Sequence, residues 1–286
     1  MAVLAIPVTI AVALILVPLL VKTLDRKAGW PLGVTFLALA GYVIKHADPI
    51  LNGKTVTWSV TWIQGFLTGA GGGAGAASAG GTAGAASEGS LDLALKMDSL
   101  GLFFTLLALL IGAVVFIYSA AYLHKGDKIM SFYVLMTSFM LAVLLLVLAD
   151  DVALLFIGWE LVSLASFFLI ARSGSGGEAG SIRTLLLTFI GGLFLLAALG
   201  IGVITTGTTN LSAMLHSPAW EGQDVRLAIV AVLIALAAFS KAAQIPFHFW
   251  LPEAMAADTP VSAFLHAAAV VKAGVYLLLR FSGLFE

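Results

Sequence analysis

The 286-residue chain has no cysteine, which excludes disulfides, thiolate-bound zinc and cysteine-held iron–sulfur clusters within it. Charge is scarce too. Asp, Glu, Lys and Arg make up 10% of the residues against 61% hydrophobic, where a soluble domain carries about 25% charged residues. Mean hydropathy is +1.09. No basic run accompanies the net charge of −1, so no nucleic-acid partner is implied. The strand-length alternation of a membrane β-barrel is missing, and a backbone in lipid must then satisfy itself as helix. The first apolar stretch, Ala2–Val21, has no cationic start and runs into the charged Lys22–Lys27 loop rather than a small-residue cleavage site. It reads as a spanning helix, not a removed signal.

What the chain does have is a series of apolar runs of about 20 residues, the length that crosses about 30 Å of hydrocarbon. The expectation is an all-α, polytopic membrane protein of eight spans: Ala2–Val21, Pro31–His46, Leu100–Leu123, Ile129–Ala149, Val152–Arg172, Thr184–Thr206, Leu227 into Lys241 and Pro246, and Val261–Phe281. The division is two N-terminal helices (1–50), a loop (51–97), a third helix (98–129), a five-helix unit (130–281) and a short end (282–286). Within the loop, Lys54–Trp62 alternates polar and apolar residues like a strand or hairpin arm. Gly69–Gly89 is almost all Gly, Ala and Ser, too weakly hydrophobic to pack, and is expected to be loosely ordered without chemistry. Lys22, Arg26, Lys27, Lys125, Lys128, Arg172 and Arg183 fall on one side of the membrane; Lys45, Lys54, Lys96, Arg226 and Arg280 fall on the other. The first side is then cytoplasmic and the N-terminus extracytoplasmic.

Against this background four ionisable residues stand out inside spans: Glu160, Lys241, His266 and Lys272. Each charge at bilayer depth costs at least about 2.5–3.5 kcal/mol, so retaining them implies pairing, water access or both, and the default hypothesis is a route for protons or cations. Glu160 lies near mid-depth in the fifth span, where Ser163 and Ser166 can hydrogen-bond it; the plainer alternative is a carboxylate that ties two helices together. Lys241 precedes Pro246, which lacks an amide hydrogen, frees a carbonyl near Ala242 and favours a helix break. A lysine beside such a break suits an ion pathway, with Glu160 its natural partner.

His248 and His266 suit a relay because imidazole exchanges protons near neutral pH. The alternatives are interfacial anchoring of His248 among Phe247, Phe249 and Trp250, and a hydrogen bond from His266 to a carbonyl. Lys272 follows His266 by about 9 Å and about 120° on a regular helix. Arg280, at the helix end, is expected to snorkel. Asp150 and Asp151, at the turn between spans four and five, are either a cation entrance or a solvated loop. Glu253 and Asp258 flank the turn before span eight. The glycines of span six, among them Gly191 and Gly192, read as close helix packing.

SKAAQIPFHFWLPEAMAADTPVSAFLHAAAVVKAGVYLLLRF (Ser240–Phe281) and FIGWELVSLASFFLI (Phe156–Ile170) carry a family resemblance. The chain from about Asp98 onward resembles the antiporter-like subunits of Mrp cation/proton antiporters and respiratory complex I. PFHFWLP and LHAAAVVKAG look most like the large A subunit of Mrp antiporters. The resemblance implies two inverted five-helix repeats, each with a discontinuous helix, of which spans four to eight are the first. It implies a proton path through Glu160, Lys241, His266 and Lys272, with His248 beside it, no cofactor, and other subunits of a prokaryotic cell-membrane complex as partners. The second repeat, absent from this chain, is a further expected partner, and without it the chain is not expected to transport. The leading expectation is a subunit of a Na+/H+ antiporter rather than an enzyme. The alternatives are a proton-pumping arm subunit of an NADH:quinone oxidoreductase-like complex and a structural subunit whose charges serve assembly.

Overall fold

The computed structural model of the chain describes residues 2–63, 91–124, 128–172 and 175–285. The Gly/Ala/Ser-rich stretch at 69–89 lies outside the described residues. Helices α1 (Ala2–Leu24) and α2 (Gly29–Lys45) meet at a tight 3-10 turn, Asp25–Ala28. Strands β1 (Val56–Ile63) and β2 (Leu91–Met97) pair antiparallel with Val56 opposite Met97, which is the hairpin arm the alternation predicts. Five long helices follow: α3 (Ser99–Tyr122), α4 (Ile129–Leu148), α5 (Val152–Ala171), α6 (Ser175–Thr206) and α7 (Asp224–Lys241). Helix α8 (Thr259–Phe264) passes through a π-turn, Leu265–Ala269, into α9 (Val270–Phe281).

Among the described residues six stretches are long and apolar enough to cross a membrane. The first, Val3–Lys45, turns back at Asp25–Ala28 and so holds two crossings. Helix α7 is not among the six because Asp224, Arg226 and Lys241 dilute it, yet its 18 residues span about 27 Å at about 1.5 Å each. With the first stretch counted twice and α7 added, the described residues hold the eight helices expected to cross. The one boundary that moves is the start of α6, nine residues before Thr184. Hydropathy cannot see its polar opening turns, where Glu178 complements the helix dipole.

Helix starts follow capping chemistry. Asp98 Oδ1 accepts the Gly101 amide at 2.8 Å, and Asp151 Oδ1 accepts those of Ala153 and Leu154 at 2.8 and 3.1 Å. Helix α2 packs along α3 and α1 along α4, while α4, α5, α6 and α7 pack each on the next. The α8–α9 crossing lies among them, α8 touching α3 and α9 touching α3, α4, α5 and α7. Large apolar side chains such as Ile15 and Ile204 point outward, as expected of helices whose solvent is lipid.

The contact of α9 with α7 depends on Gly274. A Cβ there would meet Ala238 O at 2.5 Å and the Ala242 Cβ and amide at 2.8 and 2.9 Å. Gly274→Leu is therefore expected to destabilise the fold by about 1–3 kcal/mol through overpacking. Gly41→Leu, placed where nothing lies within 4 Å, is expected to be neutral. Thermal unfolding of the two variants in detergent checks this; equal melting would show that α9 does not rest on that contact.

Candidate functional site

Helix α7 ends at Lys241, and the chain then runs through turns to Phe249 before a short helix, Trp250–Ala254. The break predicted from Pro246 is thus present, with Ile245–Pro246 in the cis form. Ala243 sits at φ 52°, a left-handed conformation that costs a residue with a Cβ roughly 1–2 kcal/mol. The Ala242 carbonyl accepts the Gln244 side-chain amide at 3.1 Å, and Gln244 N–H reaches back to Phe239 O at 2.9 Å. Trp250, fully buried, donates from its indole nitrogen to Ser240 O at 2.9 Å and ties the far side of the break to α7.

Lys241 is 0% exposed. Its Nζ donates to the Trp159 carbonyl of α5 at 2.5 Å and stands 4.0 Å from the centroid of the Trp159 ring. The next residue, Glu160, interacts electrostatically with it. No nitrogen–oxygen approach within 4.0 Å joins the pair, so they face each other without a direct ion pair. Glu160 Oε1 is buried with no hydrogen-bond partner and lies against Gly192 of α6, where a Cβ would collide with it. Gly191 makes the same kind of room for Ser240, whose hydroxyl donates to Leu187 O at 2.5 Å. The close packing read into these glycines is thus real, and what they admit is the polar site. Ser163 and Ser166 do not donate to Glu160. They bond back to Trp159 O and Ser163 O at 3.2 and 2.7 Å, as hydroxyls on a buried helix do.

His266 sits in the π-turn. Both ring nitrogens are buried and without a partner, so the expected alternative, a bond to a carbonyl, is not made. Its ring stacks on Trp250 at 6.5 Å. The widened turn also cancels the 120° offset from Lys272, which holds only for a continuous α-helix. Lys272 is half-buried and makes no hydrogen bond or ion pair among the described residues. His248 Nδ1 is buried and unpartnered, with the ring 4.2 Å from that of the exposed Phe249. Trp250 is fully buried, so it takes no part in the alternative of interfacial anchoring.

Asp150 and Asp151 are not a solvated loop: they are 7% and 1% exposed. Besides the Asp151 cap on α5, Asp150 accepts from the Ser212 hydroxyl, the Ser212 amide at 3.2 Å and the Asn210 side chain at 3.3 Å. These bonds pin the α4–α5 turn to the segment after α6. Arg280 does not snorkel either. Its side chain is 9% exposed and forks onto Asp98, while Nε donates to the Tyr276 hydroxyl at 3.0 Å. Lys96 bridges the two groups, 3.7 Å from Asp98 and 2.9 Å from Ser212 Oγ. Sequence reading missed this cluster because its members lie 182 and 116 residues apart in the chain. On the opposite side Arg172 pairs with Asp258 at 3.4 Å and Arg183 with Glu253.

A helical membrane bundle with a fully buried lysine at a helix break, and with carboxylate and imidazole atoms buried without partners, defines a polytopic membrane protein that holds ionisable groups at depth. Residues 149–286 match the family described as NADH:quinone oxidoreductase/Mrp antiporter, TM, and residues 85–133 match NADH-Ubiquinone oxidoreductase (complex I), chain 5 N-terminus. A protein of Staphylococcus haemolyticus named as an antiporter subunit, mnhA2, is 33% identical over 272 residues, covering 94% of this chain and 31% of that one. A protein of the same name from Staphylococcus aureus (strain MRSA252) is 42% identical over 197 residues, covering 68% and 25%. In the solved Mrp complex of Dietzia sp. DQ12-45-1b, one chain matches with a TM-score of 0.82 and 46% identity over 96% of this chain and 28% of its own length. The archaeal membrane-bound sulfane sulfur reductase, at 20% identity and a TM-score of 0.71, covering 96% and 40%, shares the fold. Residues 149–286 thus carry the membrane domain of the antiporter-like family, and the chain is similar to an N-terminal part of an Mrp-type A subunit. It spans between a quarter and a third of the length of these curated relatives.

The Asp98–Arg280 cluster, at the membrane boundary, has a pH signature. Burial raises the Asp98 pKa, but Arg280, the Gly101 amide and Lys96 outweigh it and hold the carboxyl below its ordinary value of 3.8. A depressed carboxylate contributes stability in full above 3.8 and loses it as the pH falls through the lower native value. Arg280→Gln is expected to cost roughly 1–3 kcal/mol at pH 7, a gap that narrows in acid as Asp98 takes a proton. Melting curves of both proteins at pH 7 and pH 3 test it, and a constant gap would exclude a charge contribution.

Proposed function

We propose that the chain is the part of a monovalent cation/proton antiporter subunit that carries a proton path, with residues 130–281 as its ion-translocating five-helix repeat. The observation that carries this reading is the fully buried Lys241 at the α7 break, hydrogen-bonded to Trp159 O and facing Glu160 without an ion pair. A group so placed gains or loses its charge according to what its neighbours hold. Glu160 is the carboxylate that exchanges with Lys241. His266, with two unpartnered buried nitrogens, and the unpaired Lys272 continue the path along α8 and α9. His248 is a side branch on the other flank of Trp250. Trp250, bonded to Ser240 and stacked on His266, links the two ends of the path.

The exchanged cation is Na+, by likeness to the Mrp complex and the relatives named as antiporter subunits. Other subunits of such a complex and a second five-helix repeat are the partners. The cytoplasmic side is that of Arg26, Lys128, Arg172 and Arg183, which puts the N-terminus outside in a prokaryotic cell membrane. Asp150 and Asp151 lie at the outer end of α5 and belong to its scaffold, with any entrance for cations beside them.

The test is cation-driven pH change in everted vesicles carrying the whole assembly. Glu160→Gln and Lys241→Ala are each expected to lower the Na+-dependent signal at least about tenfold while the complex still assembles, since each removes an ionisable group from the path. Full activity in both would make the buried charges structural and remove the proposed path.

A further inference from the structure

The partner that Lys241 actually uses is Trp159, and no expectation drawn from the sequence assigned it a role. Two features of one residue converge on the ammonium. The carbonyl accepts its hydrogen bond at 2.5 Å, and the indole ring lies beneath it at 4.0 Å. The ring is fully buried, so nothing in water competes for the cation, and a desolvated ammonium over an indole face is the strong case of this interaction. The carboxylate of Glu160 is the adjacent residue on the same helix, yet it makes no ion pair with Lys241 within 4.0 Å and leaves Oε1 unpartnered. Gly192 leaves the room that this carboxylate occupies, because a Cβ there would collide with it.

We infer that Trp159 is a positioning residue that gives the Lys241 ammonium a second resting place, a carbonyl-and-indole seat apart from Glu160. The inference rests on the proton path proposed above and deepens it. With two seats the charge does not have to stay on Glu160 between transfers. The seat on Trp159 holds the cation by its ring quadrupole without neutralising it, so the proton remains available. The Lys241 stem stays in one buried slot, and only its Nζ changes partner. The unpartnered Trp159 indole nitrogen marks a ring kept for its face rather than for a hydrogen bond.

The test uses the assembled complex in everted vesicles, with the ring altered at nearly constant size. Biosynthetic replacement of tryptophan by mono-, di- and trifluorotryptophan drains the ring face stepwise. A Trp159→Phe complex treated identically removes the contributions of the other five tryptophans of the chain and of those in partner subunits. The expected result is a stepwise fall in the cation-dependent proton signal, about threefold to thirtyfold in total, that vanishes in the Trp159→Phe background. Trp159→Leu is expected to be weaker still, and where it fails to assemble the fluorinated series decides. A series that is flat, or equally steep in both backgrounds, overturns the inference. The control Glu160→Gln separates the two proposals. If it abolishes the signal while fluorination leaves it unchanged, only the Trp159 seat falls; if Glu160→Gln is fully active, the path itself falls and the seat with it.

Discussion

An amine inside a hydrocarbon layer must be given its partners by the protein, and the irregular features of this fold gather around that requirement. Helix α7 stops at Lys241. Trp159 of α5 supplies a carbonyl and a ring, and Glu160 supplies opposite charge without contact. Two adjacent glycines of α6 admit the Glu160 and Ser240 side chains, and Gly274 of α9 admits the broken end of α7. Helices that meet here lack a hydrophobic drive between them in lipid, so small residues and hydrogen bonds decide how close they come. The sequence places these small residues where polar atoms cross between helices.

A break in a spanning helix has to be held as well as formed. The segment between the α7 break and the π-turn is tied on one side by Arg172–Asp258 and Arg183–Glu253, and Arg172 also donates to Lys128 O at 2.6 Å. Beyond the π-turn, α9 is tied at its other end by Arg280 to Asp98. These anchors differ in strength. Arg183 is largely exposed, and a pair of that kind contributes little, whereas Arg280 and Arg172 are largely enclosed and their loss leaves a partner unpaired. The eighth crossing is therefore fixed firmly at its Arg280 end, while its Asp258 end combines one firm and one weak tie beside two irregular turns.

Most of the fold was legible because lipid leaves so few alternatives: apolar length alone placed seven of the eight spanning helices to within a few residues. It failed at α6, whose first turns are polar, because hydropathy reports solvent and not hydrogen bonding. The charged residues Glu160, Lys241 and His266 were legible from cost, since nothing cheap keeps them at depth. Their partners were not. Trp159 has no anomaly in a hydrophobic run, and its carbonyl is invisible to any reading of side chains. Asp98, Lys96, Ser212 and Asp150 each look like ordinary loop residues, and only the tertiary fold joins them to Arg280. The solvated-loop alternative for Asp150 and Asp151 follows from their place at a turn, but this turn is covered by β2 and by the segment after α6: Asp150 N–H bonds to Ala94 O at 2.9 Å, and Leu211 N–H to Asp150 O at 2.9 Å.

The absence of a direct Glu160–Lys241 ion pair fits transport better than assembly. At about 4 Å and an effective dielectric constant of about 20, two opposite unit charges attract by about 4 kcal/mol. That is close to a thousandfold bias toward the paired state, and it would hold the proton in place. A structural tie benefits from such a bias; a carrier that must give up its proton does not. A hydrogen bond from a charged donor is worth about 1.5–3 kcal/mol net and a dry ring face about 2 kcal/mol, so the seat on Trp159 is comparable in strength to a pair with Glu160 and the lysine can exchange between them. Glu160, admitted by Gly192 and without an ion pair to Lys241, still interacts with it electrostatically. Strong pairs occur elsewhere in this chain, at Asp98–Arg280, where nothing has to move.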